Sequence, residues 1–200
     1  MKNSLIILAF FCSGILLGLI PNLSKIASFA NLSIYALYLL MFLVGIGVGS
    51  NSGAWKIIKT LNVKIFLLPI SVVIGTLLTV GLLSFVIPGI NLKECLLVGS
   101  GLGYYSLSSI LITQLYGETL GVLALLTNIF RESLTLLFTP MFAKHFGKLS
   151  PIASGGVTSM DTTLPIITRT IGKEYALISV FNGVVLTILV PFLIAFIAHP

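Results

Sequence analysis

The chain has 200 residues, of which 57% are hydrophobic and only 8% are charged, against about 25% charged residues in soluble domains. A soluble core cannot bury so many apolar side chains, so this composition excludes an ordinary soluble domain and predicts an all-α, polytopic membrane helix bundle. The net charge is +6, but the lysines stand singly at the ends of apolar runs, as membrane flanks do, which argues against nucleic-acid binding.

Residues 1–90 predict scaffold-like helices within a single membrane domain that covers residues 1–200. The first apolar span follows Lys2, and because no cleavage site follows closely, we expect a retained helix and not a signal peptide. The second span ends in the run LVGIGVGSNSG, whose glycines would allow close helix approach. The predicted spans of this part are 5–20, 32–49 and 66–87.

Residues 91–200 predict the part of the domain that carries the site, because small and hydroxyl residues interrupt its apolar spans. The run GSGLGYYSLSS at 99–109 weakens a helix in the middle of segment 92–116 and predicts either two half-helices or one helix strongly perturbed there. It does not predict a nucleotide-binding glycine loop, because no strand precedes it and it lacks the spaced acid of such a site.

The second interruption is PIASGGVTSMDTTLP at residues 151–165, which holds Asp161, the only aspartate of the chain. Irregular backbone at membrane depth is tolerated only where it is buried in protein or lines a water-filled cavity. We therefore expect residues 99–106 and 155–161 to be irregular backbone near mid-membrane and to pack close to each other.

A polar stripe follows the span predicted at residues 121–143. Its members recur at helical spacing and therefore share one helix face. They are Asn128, Glu132, Thr135 and Thr139. Arg131 flanks the stripe, and we expect its side chain to reach Thr127 or Thr135 one turn away. A last span is predicted at residues 175–198.

These segments add up to about seven membrane passes, with one or two helices broken near mid-membrane. In that arrangement six basic residues collect on the N-terminal side of the membrane and four on the other. The positive-inside rule then favours a cytoplasmic N-terminus.

Glu132 and Asp161 are the ionisable groups expected inside the membrane, where a charge costs about 3 kcal/mol by insertion scales. In one interpretation they face a hydrated cavity and bind a cation, a proton or an amino acid with a cationic side chain. In the other, Arg131 or Arg169 neutralises them, and the chain is a non-transporting subunit or scaffold with a structural ion-pair cluster. The further residues predicted to bind substrate or ion are Tyr105, Ser106, Asn128, Thr162 and Thr163.

Catalysis is not expected. An intramembrane aspartyl protease needs two aspartates, and this chain has one. His145 and His199 lie at membrane ends, away from any nucleophile, and no clustered His and Cys set predicts a metal centre or another cofactor.

Four segments resemble the lysine exporter LysO family. They are GLGYYSLSSILITQLYG at 101–117, LLTNIFRESLTLLFTP at 125–140, GGVTSMDTTLPIITR at 155–169 and FNGVVLTILVPFLIAF at 181–196. The resemblance implies a secondary transporter that exports L-lysine and its analogues across the bacterial cytoplasmic (inner) membrane. It also implies that the functionally important acidic pair of the family falls on Glu132 and Asp161.

The N-terminal side of this chain departs from the family pattern. Typical members carry an additional N-terminal block of about three membrane helices, and this chain starts where the second block would begin. The chain is therefore expected to be half of a split transporter, completed by a small separate membrane protein or by a homo-oligomer.

Overall fold

The computed structural model describes residues 63–199 and the four separate positions Tyr35, Leu39, Phe42 and Ile46, which are helical and exposed. Apart from those four positions, the predicted spans 5–20 and 32–49 lie outside the described residues. The chain divides into two compact units, Met1–Ser50 and Asn51–Pro200.

The described part of the second unit consists of helices, without a strand, which confirms the predicted all-α class for residues 63–199. Its seven α-helices are α1 (Leu67–Leu83), α2 (Leu92–Gly99), α3 (Tyr105–Tyr116), α4 (Glu118–Phe146), α5 (Ser150–Gly155), α6 (Leu164–Ile171) and α7 (Ala176–Ala198). Three 3-10 helices, Val63–Phe66, Gly156–Met160 and Lys173–Tyr175, join or precede them.

Within the described residues, two helical stretches are long and apolar enough to cross a membrane, Glu118–Phe146 and Lys173–Ala198. Helix α1 is apolar but shorter. The number of about seven passes, the depth of the breaks and the side on which the N-terminus lies therefore stay predictions.

The first break separates α2 from α3, as the glycine and hydroxyl run predicts. Helix α2 begins with a capping box, in which Asn91 accepts from the N–H of Glu94 while the Glu94 carboxylate accepts from the N–H of Asn91. It ends at Gly99, and Leu102 and Gly103 then take left-handed φ angles of 47° and 98°. A continuous helix cannot pass through that conformation, so the two half-helices are confirmed.

The second break interrupts the Asp161 segment. Helix α5 ends at Gly155, and the chain continues as the 3-10 helix Gly156–Met160. Asp161 ends that turn, and Pro165 lies in the first turn of α6, where its missing N–H leaves no helical bond unmade.

The two breaks contact each other, as expected. The N–H of Val157 donates to the carbonyl of Leu102 over 2.9 Å. A Cβ on Gly103 would lie 2.9 Å from the carbonyl oxygen of Gly155, and a Cβ on Gly156 would run into the Leu102 carbonyl. The backbones therefore approach closely, which only residues without a side chain allow.

Helix α7 packs against both breaks and contributes to the apolar core. Its buried side chains Leu186, Val190 and Ile194 belong to the same apolar cluster as Leu102 and Val157 of the two breaks. The core therefore continues through both breaks, and residues 100–103 and 156–159 of the irregular backbone are buried in protein.

Candidate functional site

Asn128 of α4 holds the first break in place. Its Oδ1 accepts from the N–H of Gly103 over 2.7 Å, and its Nδ2 donates to the Ala124 carbonyl and more weakly to the Ser108 hydroxyl. The side chain is buried, with 3% of its surface exposed. Asn128 therefore satisfies an N–H group that no helix can satisfy, and its amide is occupied by the protein itself.

Arg131 binds the end of α5, directly before the second break. Its Nε donates to the Ser154 carbonyl over 2.9 Å, its Nη2 to the Ala153 carbonyl over 3.0 Å, and its Nη1 to the Thr76 hydroxyl over 3.3 Å. The prediction that the Arg131 side chain contacts Thr127 or Thr135 is therefore wrong. The N–H of Val157 bonds to Leu102, which leaves the Ala153 carbonyl without its helical donor and available to the guanidinium.

The rest of the polar stripe divides into bonded and unbonded groups. The hydroxyls of Thr135 and Thr139 are buried and donate to carbonyls one turn back, and Thr135 also pairs with the Ser154 hydroxyl at 2.7 Å. Glu132 is half-buried, and its carboxylate makes no hydrogen bond or ion pair with any described residue. Of the stripe, only Glu132 keeps its polar group unused.

Asp161 lies at the end of the second break and is exposed. Its Oδ1 accepts from the N–H of Thr162 over 2.6 Å and more weakly from the Thr162 hydroxyl at 3.4 Å, so both bonds are local. The Asp161 carboxylate therefore has hydrogen bonds only to Thr162 among the described residues.

The remaining predicted site residues fall into two groups. The Thr163 hydroxyl is buried and donates to the Thr158 carbonyl over 2.9 Å, so it closes the 3-10 turn. Ser106 is exposed and Tyr105 half-buried at the start of α3, and their hydroxyls have no hydrogen-bond partner among the described residues. Tyr105, Ser106 and Thr162 are thus open to a ligand, whereas Thr163 is not.

A polar patch on α7, which is not among the predicted site residues, supports the second break. The hydroxyls of Ser159 and Ser179 each donate to the other residue's carbonyl, over 3.0 and 2.7 Å. The Nδ2 of Asn182 donates to the carbonyl of Gly156, and its buried Oδ1 has no partner among the described residues. The signal was the spacing of Ser179, Asn182 and Gly183 on one face of an otherwise apolar span.

The described residues contain no ion pair between either acid, Glu132 or Asp161, and an arginine. Arg131 binds carbonyls and a hydroxyl, and Arg169 is exposed in the last turn of α6. The described residues also contain no group of three or more metal-ligating side chains. The arrangement thus presents unpaired carboxylates and free hydroxyls, groups that can accept hydrogen bonds from an ammonium ion or take up a proton.

The chain matches the family described as Lysine exporter LysO over residues 8–198. It is similar to the lysine exporter LysO of Escherichia coli, with 34% identity over 92% of this chain, and it spans 62% of that relative's length. It is also 31% identical to a Haemophilus influenzae protein whose name describes a lysine exporter, over 82% of this chain and 83% of the relative. No solved structure gives a significant match. The chain belongs to the lysine exporter LysO family.

Proposed function

We propose that this protein exports L-lysine or a similar cationic amino acid across the bacterial cytoplasmic membrane, with Glu132 and Asp161 as the carboxylates that bind the substrate ammonium or a coupling proton. The observation that carries the proposal is the state of Asp161. Its carboxylate is exposed at the end of a buried backbone break and has no cationic partner among the described residues. A carboxylate held in this way is available to a cation from solution.

The surroundings of Asp161 suit such a ligand. Irregular backbone between half-helices is where transporters of this kind place substrate and ion sites, because half-helix ends and freed polar groups point into the gap. The N-terminus of α3, with Tyr105 and Ser106, presents N–H groups to a ligand, and Thr162 adds a hydroxyl next to the carboxylate. Together they would add polar contacts to a substrate bound at the Asp161 carboxylate.

The substitution Asp161→Asn tests the proposal. It keeps the volume and nearly the same hydrogen-bonding capacity, and only the charge is lost. We expect lysine efflux from loaded cells to collapse while the amount of protein in the membrane stays normal. The control is Thr163→Ser, which keeps the buried hydroxyl that closes the turn. Normal export at normal abundance by the Asp161→Asn protein would refute the proposal.

Accessibility separates export from the scaffold interpretation. In a protein without Cys12 and Cys95, a cysteine at position 161 or 132 should react with a small hydrophilic thiol reagent, and a cysteine at the buried Ser159 should not. A transporter leaves at least one carboxylate position reachable from solution. A folded protein that labels at neither acidic position would favour the scaffold.

The involvement of a second polypeptide stays a prediction. The chain should be expressed alone and together with a candidate small membrane protein in cells that lack lysine export. Export only on co-expression would support a split transporter, and export by the chain alone would support action by itself or as a homo-oligomer.

A further inference from the structure

Arg131 lines an open cavity of about 380 Å³ that lies between α1, α4 and α5, and the proposed role of the two carboxylates does not use it. Hydroxyl groups and the guanidinium supply the polar part of its wall. The lining residues are Gly75, Thr76, Thr79, Val80, Arg131 and Ser154. Thr76 and Thr79 are three residues apart on α1 and therefore share the helix face toward the cavity.

Hydrogen-bond donors are left over in this cavity. A guanidinium has five N–H donors, and the three bonds of Arg131 leave two of them without a partner among the described residues. The Thr76 hydroxyl accepts from Arg131, and its own proton is used in no hydrogen bond of the described residues. Three donors are therefore free beside the cavity.

The charge of Arg131 is also uncompensated. No carboxylate of the described residues pairs with it, and the carbonyls of Ala153 and Ser154 supply only partial negative charge. A partly buried cation without a counter-ion is costly. The planar fork of a guanidinium matches the two oxygens of a carboxylate, so a carboxylate would complete both the hydrogen bonds and the charge.

We propose that this cavity binds the α-carboxylate of the transported amino acid. The inference rests on the proposed function and adds a basis for selectivity. Glu132 and Asp161 can bind the ammonium groups of any diamine of suitable length, whereas Arg131 and Thr76 would favour a molecule that also carries a carboxylate. The site should therefore discriminate an amino acid from its decarboxylated product.

The test compares L-lysine with cadaverine, which is lysine without its carboxylate, as competitors for radiolabelled L-lysine on the purified full chain. Wild-type protein should bind cadaverine at least about tenfold more weakly, the effect of one charge-assisted contact. Arg131→Gln should bring this ratio close to one, and Thr76→Val should lower it by a smaller factor. Ser71→Ala is the control, because Ser71 lies on the same helix but not at this cavity.

The outcomes separate the inference from the proposed function. Wild-type protein that binds both ligands equally, or an Arg131→Gln protein that keeps the wild-type ratio, overturns the carboxylate site and leaves lysine binding in place. Wild-type protein that binds no L-lysine, either alone or together with a second polypeptide that export is found to need, overturns both. If Arg131→Gln loses α5 packing and cannot be purified, Thr76→Val decides, because a hydroxyl-to-methyl change leaves both carbonyl bonds of Arg131 in place; an unchanged ratio then overturns the inference.

Discussion

The first break, residues 100–104, and the second break, residues 156–163, are both supported by side chains of α4, but they differ in solvent exposure. In each, a polar side chain of α4 bonds to backbone groups that no helix satisfies, Asn128 at the first and Arg131 beside the second. The first break is buried from Ser100 to Gly103, whereas the second is buried from Gly156 to Ser159 and exposed at Asp161 and Thr162. The fold therefore fixes the backbone at both breaks, and Asp161 has no cationic partner among the described residues.

The largest expected effect comes from filling the contact between the breaks. Gly156→Ala places a Cβ against the Leu102 carbonyl at a backbone φ of 60°. Left-handed strain and overpacking together should lower the free energy of unfolding by about 2–5 kcal/mol. Thermal unfolding of the purified protein in detergent would measure it.

Substitutions at two other glycines separate the cost of backbone strain from the cost of the contact between the breaks. Gly117 has a φ of 91° with nothing within 4 Å of an added Cβ, so Gly117→Ala should show the strain alone, about 1–2 kcal/mol. Gly75 lies inside α1 in open space, and Gly75→Ala should stabilise the helix by up to about 1 kcal/mol. If Gly156→Ala costs no more than Gly117→Ala, the breaks are not in close contact.

A smaller effect should follow from removing the support of the first break. Asn128→Ala leaves the buried N–H of Gly103 without an acceptor, which should lower the free energy of unfolding by about 1–3 kcal/mol. The control is Thr139→Val on the same stripe, because the Thr139 hydroxyl bonds only within its own helix. Equal losses in the two variants would show that Asn128 does not support the break.

The sequence predicted both breaks because glycine and hydroxyl clusters inside apolar spans conflict with a continuous helix. It also predicted that the breaks pack together, since irregular backbone in an apolar setting needs protein around it. The left-handed Leu102 could not be predicted, because a leucine adopts that conformation only when tertiary contacts require it.

The sequence could not distinguish polar residues that support the backbone from polar residues that are left unpaired. Helical spacing placed Asn128 and Glu132 on one face, but it could not show that the first bonds to Gly103 while the second stays unpaired. The predicted contact of Arg131 with Thr127 or Thr135 was wrong for the same reason. Its side-chain partners Thr76, Ala153 and Ser154 belong to other helices, far along the chain. Spacing reports neighbours within a helix and gives no information on contacts between helices.

The smallest effect on stability is expected at the start of α3, next to the first break. Ser106 is exposed and its hydroxyl has no partner among the described residues, so Ser106→Ala should change the free energy of unfolding by at most about 0.5 kcal/mol. If the hydroxyl binds substrate, its loss should raise the KM for lysine efflux by about two- to tenfold with the melting temperature unchanged. Ser108→Ala is the matched control on the same helix, because its buried hydroxyl donates to the Tyr104 carbonyl and supports Asn128. The Ser108→Ala variant should therefore have a lower melting temperature than the wild-type protein. An unchanged KM in the Ser106→Ala protein would place the substrate path away from α3 and leave Asp161 and Thr162 as its contacts at the breaks.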